Sequence, residues 1–216
     1  MEKSNNKILK SELTKTSLID GLITLVSEGS KADSVDIIVK KSKFAYGTFY
    51  RYFKNLDDIN YQAIAKLLTD GGRETALEAN KVKSHILKFY ILYYSAVQYF
   101  SMNKNILTWL TYHPEKLNKT FLITEVMSVD WLNEAITTKE NSNFTKENYK
   151  HYLKMRPYFF WTFQQVLQEL ISGNSVENVY VDLMNSINPL NLPKSIHLEY
   201  IEQTMQFMAN QKNLIL

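Results

Sequence analysis

Six polar side chains fall within nine residues: Tyr46, Thr48, Tyr50, Arg51, Tyr52 and Lys54, with Gly47 among them. Four are hydroxyls, one is a guanidinium and one an ammonium. Such groups donate and accept hydrogen bonds of the kind that phosphate oxygens and base edges offer. A glycine near the start of a short helix lets that helix come close to another surface. Tyrosines ordinarily serve as amphipathic packing residues. Here Phe44, Phe49 and Phe53 can supply the core face, which leaves the hydroxyls and cations for the other side.

Other chemistry is poorly served. Cysteine is absent, which excludes disulfides, thiolate nucleophiles and cysteine metal sites. His85, His113, His151 and His197 are scattered, without metal-ligand spacing or a matched carboxylate. No phosphate loop, dinucleotide fingerprint or serine nucleophile elbow occurs. The pair Asp57-Asp58 suits the first turn of a helix, where its charge complements the helix dipole. The sequence therefore leads us to expect no enzyme, no catalytic residue, no metal and no cofactor.

The elements that carry the polar run are helical. Four prolines and six glycines in 216 residues leave few interruptions. The apolar spacing predicts a first helix over residues 7–27, stopped at Gly29. Ser34 caps a short second helix, Val35 to Lys41. A turn at Ser42-Lys43 follows, then a third helix from about Ala45 to Phe53. A longer helix starts near Asn55 and is expected to end or bend at Gly71-Gly72. Further helices are predicted at about 81–101, 103–112, 115–138, 146–172, 176–187 and 195–211, with a polar loop over 137–146. Pro114, Pro157, Pro189 and Pro193 mark breaks or first turns. The expected fold is all-α: a three-helix N-terminal helix-turn-helix domain over 1–56, then a bundle of about six helices over 57–216.

Charge is asymmetric. Residues 1–56 hold ten Lys/Arg against six Asp/Glu; residues 57–216 hold fifteen against sixteen. The whole +3 excess thus comes from the first quarter of the chain, which points to a polyanion partner. The polar N-terminal stretch lacks the apolar core of a signal peptide, and Ile86 to Met102 is interrupted by Lys88, Ser95 and Gln98. No membrane partner and a cytoplasmic location are expected.

Residues 8–60 resemble the DNA-binding domain of TetR-family transcriptional regulators. The likeness is carried by Gly29, Ser34, Ile38 and above all by the run Gly47-Thr48-Phe49-Tyr50-Arg51-Tyr52-Phe53-Lys54-Asn55. It implies a recognition helix in the major groove of double-stranded DNA. By position, Tyr46 and Gly47 come nearest base edges, with Ala45 opening the helix. Thr48 reaches a phosphate or a base, while Tyr50, Tyr52 and Lys54 meet phosphates beside Arg51. Ser34 and Val35 begin the second helix close to the DNA backbone. Three positions depart from the family pattern: Lys43 stands where glycine is usual, Ala45 replaces a capping hydroxyl, and Tyr46 replaces a basic or polar residue.

The resemblance also implies a ligand cavity in the helical second domain. The wealth of aromatic residues beyond residue 81 suits an apolar or aromatic small molecule. Helical phase selects Tyr93, Phe100, Trp109, Trp131, Phe160 and Gln164 as lining candidates. The family pairs its last helices across a twofold axis. Here the apolar stripe Val179, Leu183, Ile187, Leu198, Ile201, Met205 and Met208 is the candidate homodimer interface. A dimer would present two recognition helices to a palindromic operator about one turn (roughly 34–36 Å) apart. The expected function is a repressor released from its operator by ligand. The alternative is a TetR-like protein that has lost DNA binding and acts through a protein partner.

Overall fold

The computed structural model describes the backbone of residues 2–117 and 126–213, and the side chains of 9–117, 128–156, 158 and 162–211. All regular structure among these residues is helical, with no strand. The helices are α1 (Glu2–Ser27), α2 (Val35–Lys41), α3 (Tyr46–Phe49), α4 (Leu56–Ala79), α5 (His85–Ser101), α6 (Lys104–Thr111), α7 (Val126–Thr137), α8 (Lys146–Met155), α9 (Phe159–Ile171), α10 (Val176–Ile187) and α11 (Lys194–Asn213). A helical turn covers 114–117, and a 3₁₀ turn, Arg156–Tyr158, joins α8 to α9.

Local chemistry sets most boundaries. Gly29 ends α1 in the left-handed conformation (φ 71°), with Ser30 N–H donating to Leu25 O and Gly29 N–H to Val26 O, both at 2.9 Å. Asn55 starts α4: its Oδ1 accepts Asp58 N–H at 2.9 Å, while the Asp58 carboxylate accepts Lys54 N–H at 2.9 Å. Two departures from sequence expectation have physical causes. The predicted helix over 146–172 is split at Pro157, which lacks the N–H a continuous helix needs. The helix α4 does not stop at Gly71-Gly72. A Cβ on Gly71 would lie 2.7 Å from the Tyr99 ring, so this glycine lets α5 pack closely instead of ending α4.

The chain divides into two compact units. The first comprises the residues up to Leu67 together with Asn103–Leu117, so it extends past residue 56 and takes in α6. Its core joins Leu18, Leu22, Ile38, Phe49, Phe53 and Ile59, with Ile106 and Trp109 of α6 packed against it. The amides of Asn103 and Asn105 donate to Ser27 O at 3.2 and 3.0 Å, tying α6 to the end of α1. Buried Lys116 bridges Asp57 of α4 at 2.7 Å and Glu115 at 2.6 Å.

The second unit comprises Leu68–Met102 and the chain after Leu117. Its core is aromatic: Phe89, Tyr90, Tyr94, Tyr152 and Tyr180 are all buried. Two polar clusters organise it. The loop residue Glu140 caps α5, accepting from Ser84 Oγ (2.6 Å), His85 N–H (2.7 Å) and Ile86 N–H (3.1 Å). Its partial burial opposes ionisation, but the Ser84 hydroxyl and the two amides outweigh that and hold the carboxyl below its usual range. Buried His197 donates from Nε2 to Met184 O at 2.9 Å, because a carbonyl can only accept. Its Nδ1 then accepts from Tyr90 Oη at 2.6 Å. Burial lowers the His197 pKa against the pull of the Met184 carbonyl, so the neutral ring is the stable form.

Candidate nucleic-acid interface

The turn between α2 and α3 fixes how the polar run is presented. Ser42 closes α2, its N–H donating to Ile38 O and its hydroxyl donating to the same oxygen at 2.9 Å. Lys43 takes the left-handed conformation (φ 60°). Lys43 N–H then donates to Lys40 O, and Phe44 N–H to Val39 O. This is the geometry a glycine would adopt without strain, and lysine adopts it here. Gly21 of α1 lies against this turn, since a Cβ there would stand 2.0 Å from Ser42 Oγ.

The helix α3 is a single regular turn, Tyr46–Phe49, continued by turns through Tyr52. It is shorter than the span from Ala45 to Phe53 predicted from sequence. Ala45 occupies the N-cap and offers no side-chain bond, so the first turn lacks that anchor. Phe49 and Phe53 hold the segment down from below; both are buried, with ring centroids 5.3 Å apart.

What stays outside is the predicted polar set. Tyr46 and Tyr50 are about half exposed (49% and 51%), and their hydroxyls lie 3.1 Å apart. The bond to Tyr50 keeps the Tyr46 phenol protonated to higher pH than usual, with the Asp36 carboxylate adding in the same direction. Arg51 and Lys54 are exposed, and Thr48 is half-buried. Gly47 is exposed, and a Cβ built on it meets nothing within 4 Å. The fold itself therefore does not require glycine at that position.

Other predicted residues are placed differently. The Val35 side chain is buried in the core, so only its backbone remains for an outside partner. The Ser34 hydroxyl accepts Ile37 N–H at 3.5 Å as the α2 cap. The half-buried Tyr52 hydroxyl accepts from Ser11 Oγ of α1 at 3.5 Å, which ties it to the first helix. Sequence reasoning left Lys40, Lys41 and Lys43 out of the DNA-contacting set; all three are exposed around the turn, and Lys41 pairs with Glu28 at 2.7 Å. Their clustering before the polar run was the available signal.

The residues expected to line a ligand site are divided between the two units, Trp109 in the first and Tyr93, Phe100, Trp131 and Gln164 in the second. Trp109 packs on the core of the first unit, edge-on to His113 at 5.2 Å. Tyr93 packs on Phe89 at 4.8 Å, Phe100 on Phe163 at 5.2 Å, and Trp131 lies under the Lys88 ammonium at 5.8 Å. These rings fill space against one another. Gln164 has a buried Nε2 without a partner. The side chain of Phe160 lies outside the described residues.

The residues of the candidate dimer stripe lie against the core of the second unit. Val179, Leu183, Ile201 and Met208 are buried within the single chain, and Ile187, Leu198 and Met205 pack partly buried against the same core. Apolar i, i+4 spacing here marks the inward face of α10 and α11. Among the described residues, no helix is long and apolar enough to cross a membrane, and no group of three His, Asp or Glu could hold a metal ion.

Comparison of the chain with protein-family models, with curated proteins and with solved structures found no match.

Proposed function

We propose that this chain is a TetR-type DNA-binding transcriptional regulator, a repressor that a small apolar or aromatic molecule releases from its operator. The observation that carries the reading is Gly47. A glycine in a helix weakens it by roughly 0.5–1 kcal/mol relative to alanine. Nothing in the fold occupies the space beside Gly47, yet the residue lies among exposed Tyr46, Tyr50, Arg51 and Lys54. A close approach by an outside surface explains it, and the surrounding donors and cations suit that surface to nucleic acid.

In this reading Tyr46 and Gly47 approach base edges, while Tyr50, Arg51 and Lys54 meet phosphates. Lys40 and Lys43 add positive potential at the turn. A palindromic operator calls for two copies. Ligand release requires a molecule that prefers the unbound conformation. The helix α4 is the element through which such a preference would act, since it runs unbroken from Leu56 to Ala79 and belongs to both units.

The test is titration of the protein into duplex DNA from its own promoter region across a salt series. Affinity that falls steeply with salt and favours that duplex over scrambled DNA supports the reading. Equal, weak binding to both duplexes refutes it and favours action through a protein partner.

A further inference from the structure

We propose that the second unit carries a surface site for a cationic amphiphile, a primary amine in its ammonium form on an apolar body. The site is a groove of about 350 Å³ walled by the second half of α4, the last turns of α5 and the end of α11. That volume falls within the range of about 300–1,000 Å³ common for small-molecule sites.

The two walls differ in chemistry. On one, Glu74 and Glu78 project from successive turns of α4. Glu78 is neutralised by Lys81 at 2.7 Å, which leaves the exposed Glu74 carboxylate in excess. On the other, Tyr99 of α5, Met102 just beyond its end and Met208 of α11 line the groove. Met102 is 70% exposed, and Leu77 beside the carboxylates is 64% exposed. Exposed apolar residues of this size flanking one groove mark a surface that gains from being covered.

Ser95 supplies the second polar contact. It lines the groove, is 6% exposed, and its hydroxyl has no hydrogen-bond partner. A helical serine commonly bonds back to the preceding turn. This one does not, so a donor and an acceptor remain for a ligand. A carboxylate ligand would meet the Glu74 charge. A purely apolar one would strip water from Glu74 without replacing it and would leave Ser95 Oγ unpaired. A primary ammonium pairs with the Glu74 carboxylate and donates to Ser95 Oγ, while its body lies along Tyr99 and the methionines.

The site rests on the sensing half of the proposed function and narrows its effector from an apolar or aromatic molecule to one that also carries a cation, and it can be measured without DNA. Titration calorimetry on the full chain would compare decylammonium, decanoate and decanol below their micellar concentrations. Decylammonium is expected to bind one to one, more weakly as salt rises, with decanol about tenfold weaker. Glu74→Gln should lower decylammonium affinity about tenfold, and Ser95→Ala about threefold. Glu74 is exposed, so its variant keeps the fold. Equal binding of decanoate or decanol, or parental affinity in Glu74→Gln, overturns the site and leaves operator binding untouched. Decylammonium that binds but does not release promoter DNA overturns the sensing reading and leaves the groove standing.

Discussion

Gly21 and Ser42 meet where α1 crosses the end of α2: a Cβ on Gly21 would stand 2.0 Å from the Ser42 hydroxyl, which is itself held by Ile38 O. The contact sets how the turn, and with it α3, is carried on the core. Gly21→Ala should therefore lower stability by about 1–3 kcal/mol, the usual cost of overpacking. Thermal denaturation checks this. Adding Ser42→Ala should recover part of the loss, and strict additivity of the two changes would argue against the contact.

At Gly47 the expected sign is opposite. Gly47→Ala meets open space and improves helix propensity, so the variant should be as stable as the parent or more so by up to about 1 kcal/mol. Promoter affinity should fall in the same variant. Parental affinity would show that no surface approaches there.

The polar run separates into two classes of contact. Lys54→Ala and Tyr50→Phe should weaken binding to every duplex, and Lys54→Ala should reduce the salt slope by about 1. Tyr46→Ala should change which duplex is preferred. Tyr50→Phe also deprives the Tyr46 hydroxyl of its 3.1 Å partner, so its effect should exceed that of one lost phosphate bond. Anisotropy titrations on promoter and scrambled DNA distinguish these outcomes.

Two polar clusters predict distinct acid transitions. The His197 pKa is lowered in the fold, so its contribution is full above about pH 6.5 and is lost as pH falls from there through the folded value. The Glu140 pKa is also lowered, so its contribution is full above about pH 4.3 and is lost as pH falls through its folded value. Glu140→Gln should cost about 1–3 kcal/mol at neutral pH and flatten only the lower transition. Denaturation followed from pH 7 to 3 reads both. Loss of the upper transition in Glu140→Gln would contradict the assignment.

The sequence was informative where local chemistry decides the structure. Gly29 and Ser34 depend on neighbours within a few residues and were read from residue type and position, while the glycine-like turn at Lys43 was implied by the family resemblance. It was uninformative where distant segments decide. Glu140 caps α5 from a loop more than fifty residues away. Gly71 resembled a helix stop because the Tyr99 ring that fills its place comes from another helix. The stripe from Val179 to Met208 showed which side of α10 and α11 is apolar, but not that the same chain covers it. Trp109 and Trp131 looked alike by phase, yet they pack in different units.

The backbone at the turn and at α3 inverts the placement that folding alone favours. Lysine occupies the left-handed position at residue 43, and glycine occupies a helical position with room for a side chain at residue 47. Each works against local preference by about 1 kcal/mol. This is local frustration in the energy-landscape sense, concentrated within five residues of an otherwise consistent domain. Substitutions chosen only to raise melting temperature would be drawn first to these two positions, and would remove a cation and close off an approach.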